Sequence, residues 1–468
     1  MEDLPRFLFD IYALSLPRGH GFGDRPPIKG WRSADGAAFG VARKGDDGAY
    51  GALVMRRRVD GLWVLTADEY GLDSLEAARA RIADLLREGS PAEPLPPNTA
   101  PRPSLGELGP RTPGQTFDLL RQRSHHRAAW VLNQLYLALP RPDKNWASDC
   151  QTANFHTRLW EALLLACFRE QGVLLTQPFE SPDFKLEDRH GHVGWVEAVT
   201  ANPATPYEHV NAKRVPPPMD KQDLFFGPAA ERFAKTLRSK LDRRYHERPH
   251  VAGQPLVFAL ADFHAPASMT WSREGLIGYL YGLGAEVAVV DGARVGRYMA
   301  APDFVGQGET PIGLFTDGRH AELSAVIFSN ACSMAKLNRV VASAGGAPEG
   351  LRWTRVGEME DRRPGALAGI PFAMDVTSEA YRALWPGGYE PWSAELEVFH
   401  NPYAQYPFPF SLAPEANHWF EQDGEMICQP FYETSILWSQ TYIQSTSAPP
   451  LSLERLLNPD GVSGEAID

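Results

Sequence analysis

The chain has 468 residues and a formal net charge of −12 at pH 7, with 43% hydrophobic, 11% aromatic and 22% charged residues. That composition excludes a disordered chain, and the length exceeds what one hydrophobic core usually organises, so two or three domains are expected. The acidic balance excludes a surface that attracts polyanions as a whole, so any nucleic acid must meet a local patch.

The amino-terminal stretch MEDLPRFLFDIYALSLPRGHGF lacks a basic start before a clean apolar run. No later segment reaches about eighteen uncharged apolar residues, so neither a secretory leader nor a membrane span is predicted, and the expected compartment is the cytoplasm. The four cysteines, Cys150, Cys167, Cys332 and Cys428, are far apart and read as reduced thiols, with Cys167 a small core residue.

Residues 28–67 alternate short β-type runs with turns, and the Asp60-Gly61 pair marks a hairpin. Asp73 with Glu76 forms a capping-box pattern opening a helix that Gly89 closes. Residues 1–90 therefore read as a small α+β recognition or sensor domain, a candidate surface for a protein partner. Residues 91–115 are dense in proline, without periodicity, and read as an extended linker.

Helical patterns resume at TFDLLRQRSHHRAAWVLNQLYLALP and HTRLWEALLLACFREQG, the second ended by Gly172. An α/β texture follows, with the β-run PLVFALADF, a helix near SREGLIGYLYG, a hairpin at Asp291-Gly292 and the β-run LSAVIFS. This defines a second domain over residues 116–382. The aromatic and proline-rich residues 383–468 read as an irregular extension wrapped on the core, its end frayed from about Asn458.

Three features within residues 152–245 carry chemistry. In SPDFKLEDRHGHVGWVEAVT two β-type runs flank Arg189-His190-Gly191, and a reversal about His190 sets Asp183 opposite Glu197 on one face. Two carboxylates so placed suit a divalent cation with oxygen ligands, Mg²⁺ or Mn²⁺. Glu161 shares the apolar face of its helix with Leu164, Leu165 and Phe168, and a buried acid needs a cation, a partner or a cleft. On the helix AAERFAKTLRSKLDRRYHER, Phe233 and Leu237 place Lys240 on the apolar stripe, and residues 231–248 hold seven Lys or Arg against three acids. A phosphate backbone fits along such a helix. The plainer alternatives are a surface hairpin, a structural arginine beside Glu161, and a Lys240 whose stem packs while its head reaches water.

The order FxxxLWE helix, PDF hairpin, VEA strand and SKLxxxY helix resembles the PD-(D/E)XK nuclease superfamily. More narrowly it is similar to a bacterial branch that reads EAV in place of EXK, with HNP near the end, here His400-Asn401-Pro402. The resemblance implies a restriction-endonuclease-like mixed sheet flanked by helices within an α/β chain. It implies Asp183 and Glu197 as ligands of Mg²⁺ or Mn²⁺, Glu161 as the early acid, and hydrolysis of nucleic-acid phosphodiesters, DNA before RNA, in bacterial defence. Val199 stands where active members place lysine, so Lys240 is the candidate for a relocated cation and Lys185 the second choice. If neither serves, the implied protein is an inactive nuclease-fold module that binds nucleic acid or a partner protein.

Other chemistries lack local support. His190, His192, His125 and His126 do not have the spacing of a structural zinc site. Gly282-Leu283-Gly284 follows a helix and precedes a strand, the reverse of dinucleotide-binding order, and no GxSxG or GxxxxGK[ST] occurs.

Overall fold

The computed structural model describes residues 1–4, 27–203, 225–290, 293–301, 303–305, 310–363, 366, 368–452 and 465–467. The chain is mixed α/β, with several sheets and helices packed between and around them.

The first sheet is antiparallel, with strands β1 (Glu2–Asp3), β2 (Pro27–Arg32), β3 (Ala38–Lys44), β4 (Tyr50–Arg57) and β5 (Trp63–Leu72) in sequence order. Helix α1 (Leu75–Leu86) lays Ala78, Ile82 and Leu86 against Trp31, Ala38, Ala42, Ala52 and Val54. The helix comes so close that a Cβ added at Gly40 would lie 2.5 Å from Ile82. The expected cap moves by one residue: Ser74, in extended backbone, accepts the Ala77 N–H at 3.1 Å in place of Asp73. At the other end Arg87 takes the left-handed conformation ahead of Gly89.

The proline-rich segment has no long regular element, yet it is tied down along its length. Arg56 donates to Glu93 at 2.9 Å, Arg102 donates to the carbonyls of Tyr136, Leu137, Leu139 and Pro140, and Leu105 is buried in the main core.

Helices α2 (Gln115–Leu120), α3 (His126–Ala138), α4 (Trp146–Gln151) and α5 (Phe155–Glu170) come next. Then follow β6 (Leu174–Thr176), β7 (Phe184–Glu187), β8 (Val193–Ala201), α6 (Ala230–Leu241), β9 (Leu256–Asp262) and α7 (Arg273–Tyr281). The hairpin strands β10 (Leu283–Val290) and β11 (Ala293–Ala300) pair with each other, while their predicted Asp291-Gly292 turn lies outside the described residues. After β12 (Phe304–Val305) and β13 (Thr310–Pro311), the chain re-enters the centre with β14 (Ala325–Ser329) and α8 (Met334–Val341). The last elements are β15 (Leu351–Met359), β16 (Ile370–Asp375), α9 (Glu379–Arg382), β17 (Leu396–His400), β18 (Asn417–Gln422), β19 (Glu425–Gln429), β20 (Ile436–Ser445) and β21 (Glu465–Ile467).

The central sheet has eight strands in the order β19-β18-β17-β14-β9-β8-β7-β6. Strands β6, β7 and β8 are mutually antiparallel, and β9 lies parallel to β8 after the α6 crossover. One face carries α3, α5 and α8 on a core that includes Val196, Ala198, Val257 and Ile327. The opposite face carries α6 and α7 on Trp195, Val199, Phe258 and Phe328. A separate sheet, β16-β15-β20-β21, completes the carboxy-terminal part.

The expectation of an irregular wrap over residues 383–468 is corrected here. β17 is inserted in the central sheet, antiparallel to β14, and β18 and β19 extend the same sheet, so the expected boundary at 382/383 cuts a continuous sheet. LEVFH is buried at every position, and a strand covered on both faces has no alternation to reveal it. The frayed end expected from about Asn458 lies outside the described residues at 458–464 and 468, and it is corrected at Glu465–Ile467, where β21 pairs antiparallel with β20.

Candidate metal centre

The hairpin that holds the site begins with its turn. Asp188 accepts the backbone N–H of His190 and of His192 at 2.8 and 2.9 Å, and Gly191 supplies a φ of +82°. The strands then pair Phe184 with Val196 and Lys185 with Trp195. One step further the same register sets Asp183 across from Glu197. Alternation along β8 sends Val196 and Ala198 to the α5 side and Trp195 and Val199 to the α6 side, the side on which Glu197 meets α6.

Asp183 and Glu197 occupy different electrostatic settings. An Asp183 oxygen, Oδ2, accepts the Ala198 N–H at 2.7 Å. Burial, and after it the charges of Glu197 and Glu161, hold this carboxyl well above the usual carboxylate range, with Lys240 opposing. Glu197 is only 3% exposed. Its Oε1 accepts both the Lys240 ammonium and the Tyr245 hydroxyl at 2.6 Å. Its Oε2 is buried and accepts no hydrogen bond from any described residue. A buried carboxylate oxygen left in that state is costly, and a cation shared with Asp183 would satisfy it.

Lys240 reaches Glu197 from the last turn of α6, whose Phe233 and Leu237 anchor the helix in the core. Tyr245 follows after a short turn; burial and then Glu197 push its hydroxyl up, so it stays a neutral donor. Arg243 in turn donates to the Tyr245 oxygen at 3.2 Å. Lys185 points at Glu187, 3.4 Å away, and does not join this group. Val199, 2% exposed, packs in the core beneath α6.

Glu161 is buried but committed. Trp146 Nε1 donates to its Oε2 at 2.6 Å and Arg158 to its Oε1 at 2.8 Å, and Arg158 also meets Asp149. Burial raises the Glu161 carboxyl, with Arg158 and Trp146 opposing. The structure thus gives Glu161 a structural arginine and leaves it an influence on Asp183 through its charge.

Several participants carried no assigned role in the sequence. Tyr245 stands at the end of SKLxxxY, a motif whose tyrosine had no partner until the chain was folded. Arg248 and His250 both bond to the Ser181 carbonyl at 3.0 Å, fixing the loop before Asp183. Phe179, 46% exposed, stacks on His250 with centroids 3.8 Å apart. The basic residues of α6 and of the turn after it are partly tied down, Arg238 to the Pro311 carbonyl and Arg244 to Glu247. The HNP triplet is structural: His400 bonds to His418 at 2.8 Å and Asn401 donates to the carbonyls of His320 and Leu323.

Among the described residues, no group of three or more His, Cys, Asp or Glu is gathered to hold a metal ion. Two carboxylates, Asp183 and Glu197, are the kind of oxygen donors that would hold a hard divalent ion. No helix among the described residues is long and apolar enough to cross a membrane. Comparison of the chain with family models, curated proteins and solved structures returned no match.

Proposed function

We propose that the protein is a metal-dependent nuclease of the PD-(D/E)XK kind, hydrolysing phosphodiester bonds of nucleic acid, DNA before RNA, with bacterial defence as its setting. The carrying observation is the buried Glu197, which takes Lys240 and Tyr245 on one oxygen, leaves the other unmatched and faces Asp183 across the hairpin. The succession α5, three antiparallel strands, α6 and a parallel strand agrees with the mixed, helix-flanked sheet that the resemblance implies.

Asp183 and Glu197 would hold Mg²⁺ or Mn²⁺, which when bound polarises a phosphoryl oxygen and lowers the pKa of its water. The Ala198 N–H orients the Asp183 carboxylate. Lys240 and Tyr245 fix the Glu197 carboxylate, and the Lys240 ammonium is the cation nearest to it for charge developing on a phosphate. Phe179 and the exposed basic side chains after α6 offer stacking and phosphate contacts beside the site. Incubating plasmid, linear DNA and RNA with Mg²⁺ or Mn²⁺ tests the reading. Cleavage lost in Asp183→Asn and Glu197→Gln is expected, and cleavage undiminished in both refutes it.

A second reading, an inactive module that binds nucleic acid or a partner protein, is favoured by Val199 packed in the core and Glu161 committed to Arg158. It requires intact binding without Mn²⁺ affinity.

A further inference from the structure

We propose that Phe179, His250 and Trp195 form a stacking platform for an unpaired nucleobase beside the Asp183/Glu197 centre, so that the substrate taken there is single-stranded nucleic acid. This deepens the nuclease reading and rests on it. The three rings come from separate stretches of chain: the loop between β6 and β7, the segment before β9, and β8 itself. Phe179 stacks on His250 with centroids 3.8 Å apart and planes 12° from parallel, and Trp195 meets the two rings at 6.0 Å and 5.0 Å. The supports are fixed by hydrogen bonds. Trp195 Nε1 donates to Gln254 at 2.8 Å, and His250 Nε2 bonds to the Ser181 carbonyl at 3.0 Å. Trp195 is buried, whereas Phe179 stays 46% exposed.

Position ties the platform to the two acids. Trp195 and Glu197 are two residues apart on β8, so they project on one side about 7 Å from each other. Phe179 lies four residues before Asp183, and the Ser181 carbonyl between them also accepts from Arg248. The Arg248 guanidinium carbon lies 5.0 Å from the centroid of the Tyr245 ring, whose hydroxyl donates to Glu197. The same side chains thus brace the platform and the carboxylate, and a strand whose phosphate reaches the acids carries its neighbouring base to Phe179. The ring selects the occupant. Every nucleobase has a π-face that stacks on an aromatic side chain whatever its sequence, but inside an intact duplex both faces are covered by the adjoining pairs. Only an unpaired or splayed base can extend the stack that His250 and Phe179 begin.

Fluorescence anisotropy of labelled oligo-dT on the full chain tests this, in Ca²⁺ and with strand integrity checked on gels. The strand should bind about ten-fold or more tightly than a blunt dA·dT duplex of the same length. Phe179→Ala should weaken strand binding about five-fold or more, the loss expected for one stacked base, and Phe179→Trp should keep or tighten it. Phe179 is half exposed, so these substitutions spare the fold, which circular dichroism checks. A strand of the same length made of abasic sites has phosphates but no bases, and it should bind the parent and Phe179→Ala equally. Equal affinity for strand and duplex, indifference to Phe179→Ala, failure of Phe179→Trp to keep binding, or the same loss with the abasic strand each overturns the proposal. Cleavage in Mg²⁺ or Mn²⁺ is scored separately: cleavage without ring-dependent binding sinks the platform alone, and ring-dependent binding without cleavage sinks the nuclease reading alone.

Discussion

The carboxylate of Asp183 accepts the backbone N–H of Ala198, the residue that follows Glu197, at 2.7 Å. Two acids are thereby locked across one hairpin by a main-chain bond as well as by strand pairing. Asp183 cannot rotate away from Glu197 without losing that bond, and Glu197 cannot rotate away without losing Lys240 and Tyr245.

The repulsion between the two acids yields the first prediction. Asp183→Asn keeps an acceptor for the Ala198 N–H and removes one of two opposed charges. In EDTA the variant should be more stable than the parent by on the order of 1 kcal/mol, while the stabilisation that Mn²⁺ gives the parent should vanish. Thermal melts with and without Mn²⁺ decide it; a destabilised variant that still responds to Mn²⁺ sinks the idea.

A second prediction concerns the lysine. Lys240→Met should reduce metal-dependent cleavage about 10²-fold, since the cation beside Glu197 is lost. Adding Val199→Lys should not restore it and should cost about 3 kcal/mol, because the new ammonium enters the apolar layer under α6. Recovery of cleavage in the double variant would show that position 199 reaches the site.

The third prediction is a pH dependence remote from the site. With both buried rings neutral, His418 Nε2 donates to the Ala413 carbonyl at 3.0 Å, and its Nδ1 accepts from His400 Nε2 at 2.8 Å. Burial pushes His400 down to about 3 and His418 to about 4, from 6.5. A depressed folded pKa gives stability that is present above 6.5 and drains away as pH falls toward 3 to 4. Urea unfolding between pH 6.5 and 4 should show this loss. In His400→Phe/His418→Leu the slope over that window should fall by about 1.4 kcal/mol per pH unit for each residue replaced, whatever the absolute stability; an unchanged slope contradicts the assignment.

A fourth prediction addresses the buried charges near α8. Glu390, wholly buried, meets Arg339 at 3.0 Å, Lys336 at 3.0 Å and the Tyr381 hydroxyl at 2.5 Å. Arg355 lies 3.6 Å from Glu390 and 2.7 Å from Glu395. Glu390→Gln leaves three cations facing Glu395 and should cost about 3–5 kcal/mol in urea unfolding, nearly independent of salt. A loss below 1 kcal/mol would mean the cluster is solvated.

The candidate site was legible where its rules are local. A period of two and a glycine turn set Asp183 opposite Glu197, and a period of 3.6 put Lys240 on the buried side of α6. Partners distant in sequence were not legible. Nothing near Glu161 marks Trp146 as its donor, and Glu197 gains Tyr245 only after the crossover to β9 begins. The helix start slipped from Asp73 to Ser74 because both residue types cap well and only the backbone angles decide. The strand LEVFH escaped because its signal is a short apolar run flanked by aromatics and prolines.

The position of that strand bears on how the chain is made. β14 offers one edge to β9, which precedes it by some seventy residues, and the other to β17, which follows by about as many. During synthesis the second edge of AVIFS stays open, with its backbone groups unmatched, until LEVFH clears the ribosome. Nascent chains halted before that point expose a sticky border in the middle of what will become the protein's interior.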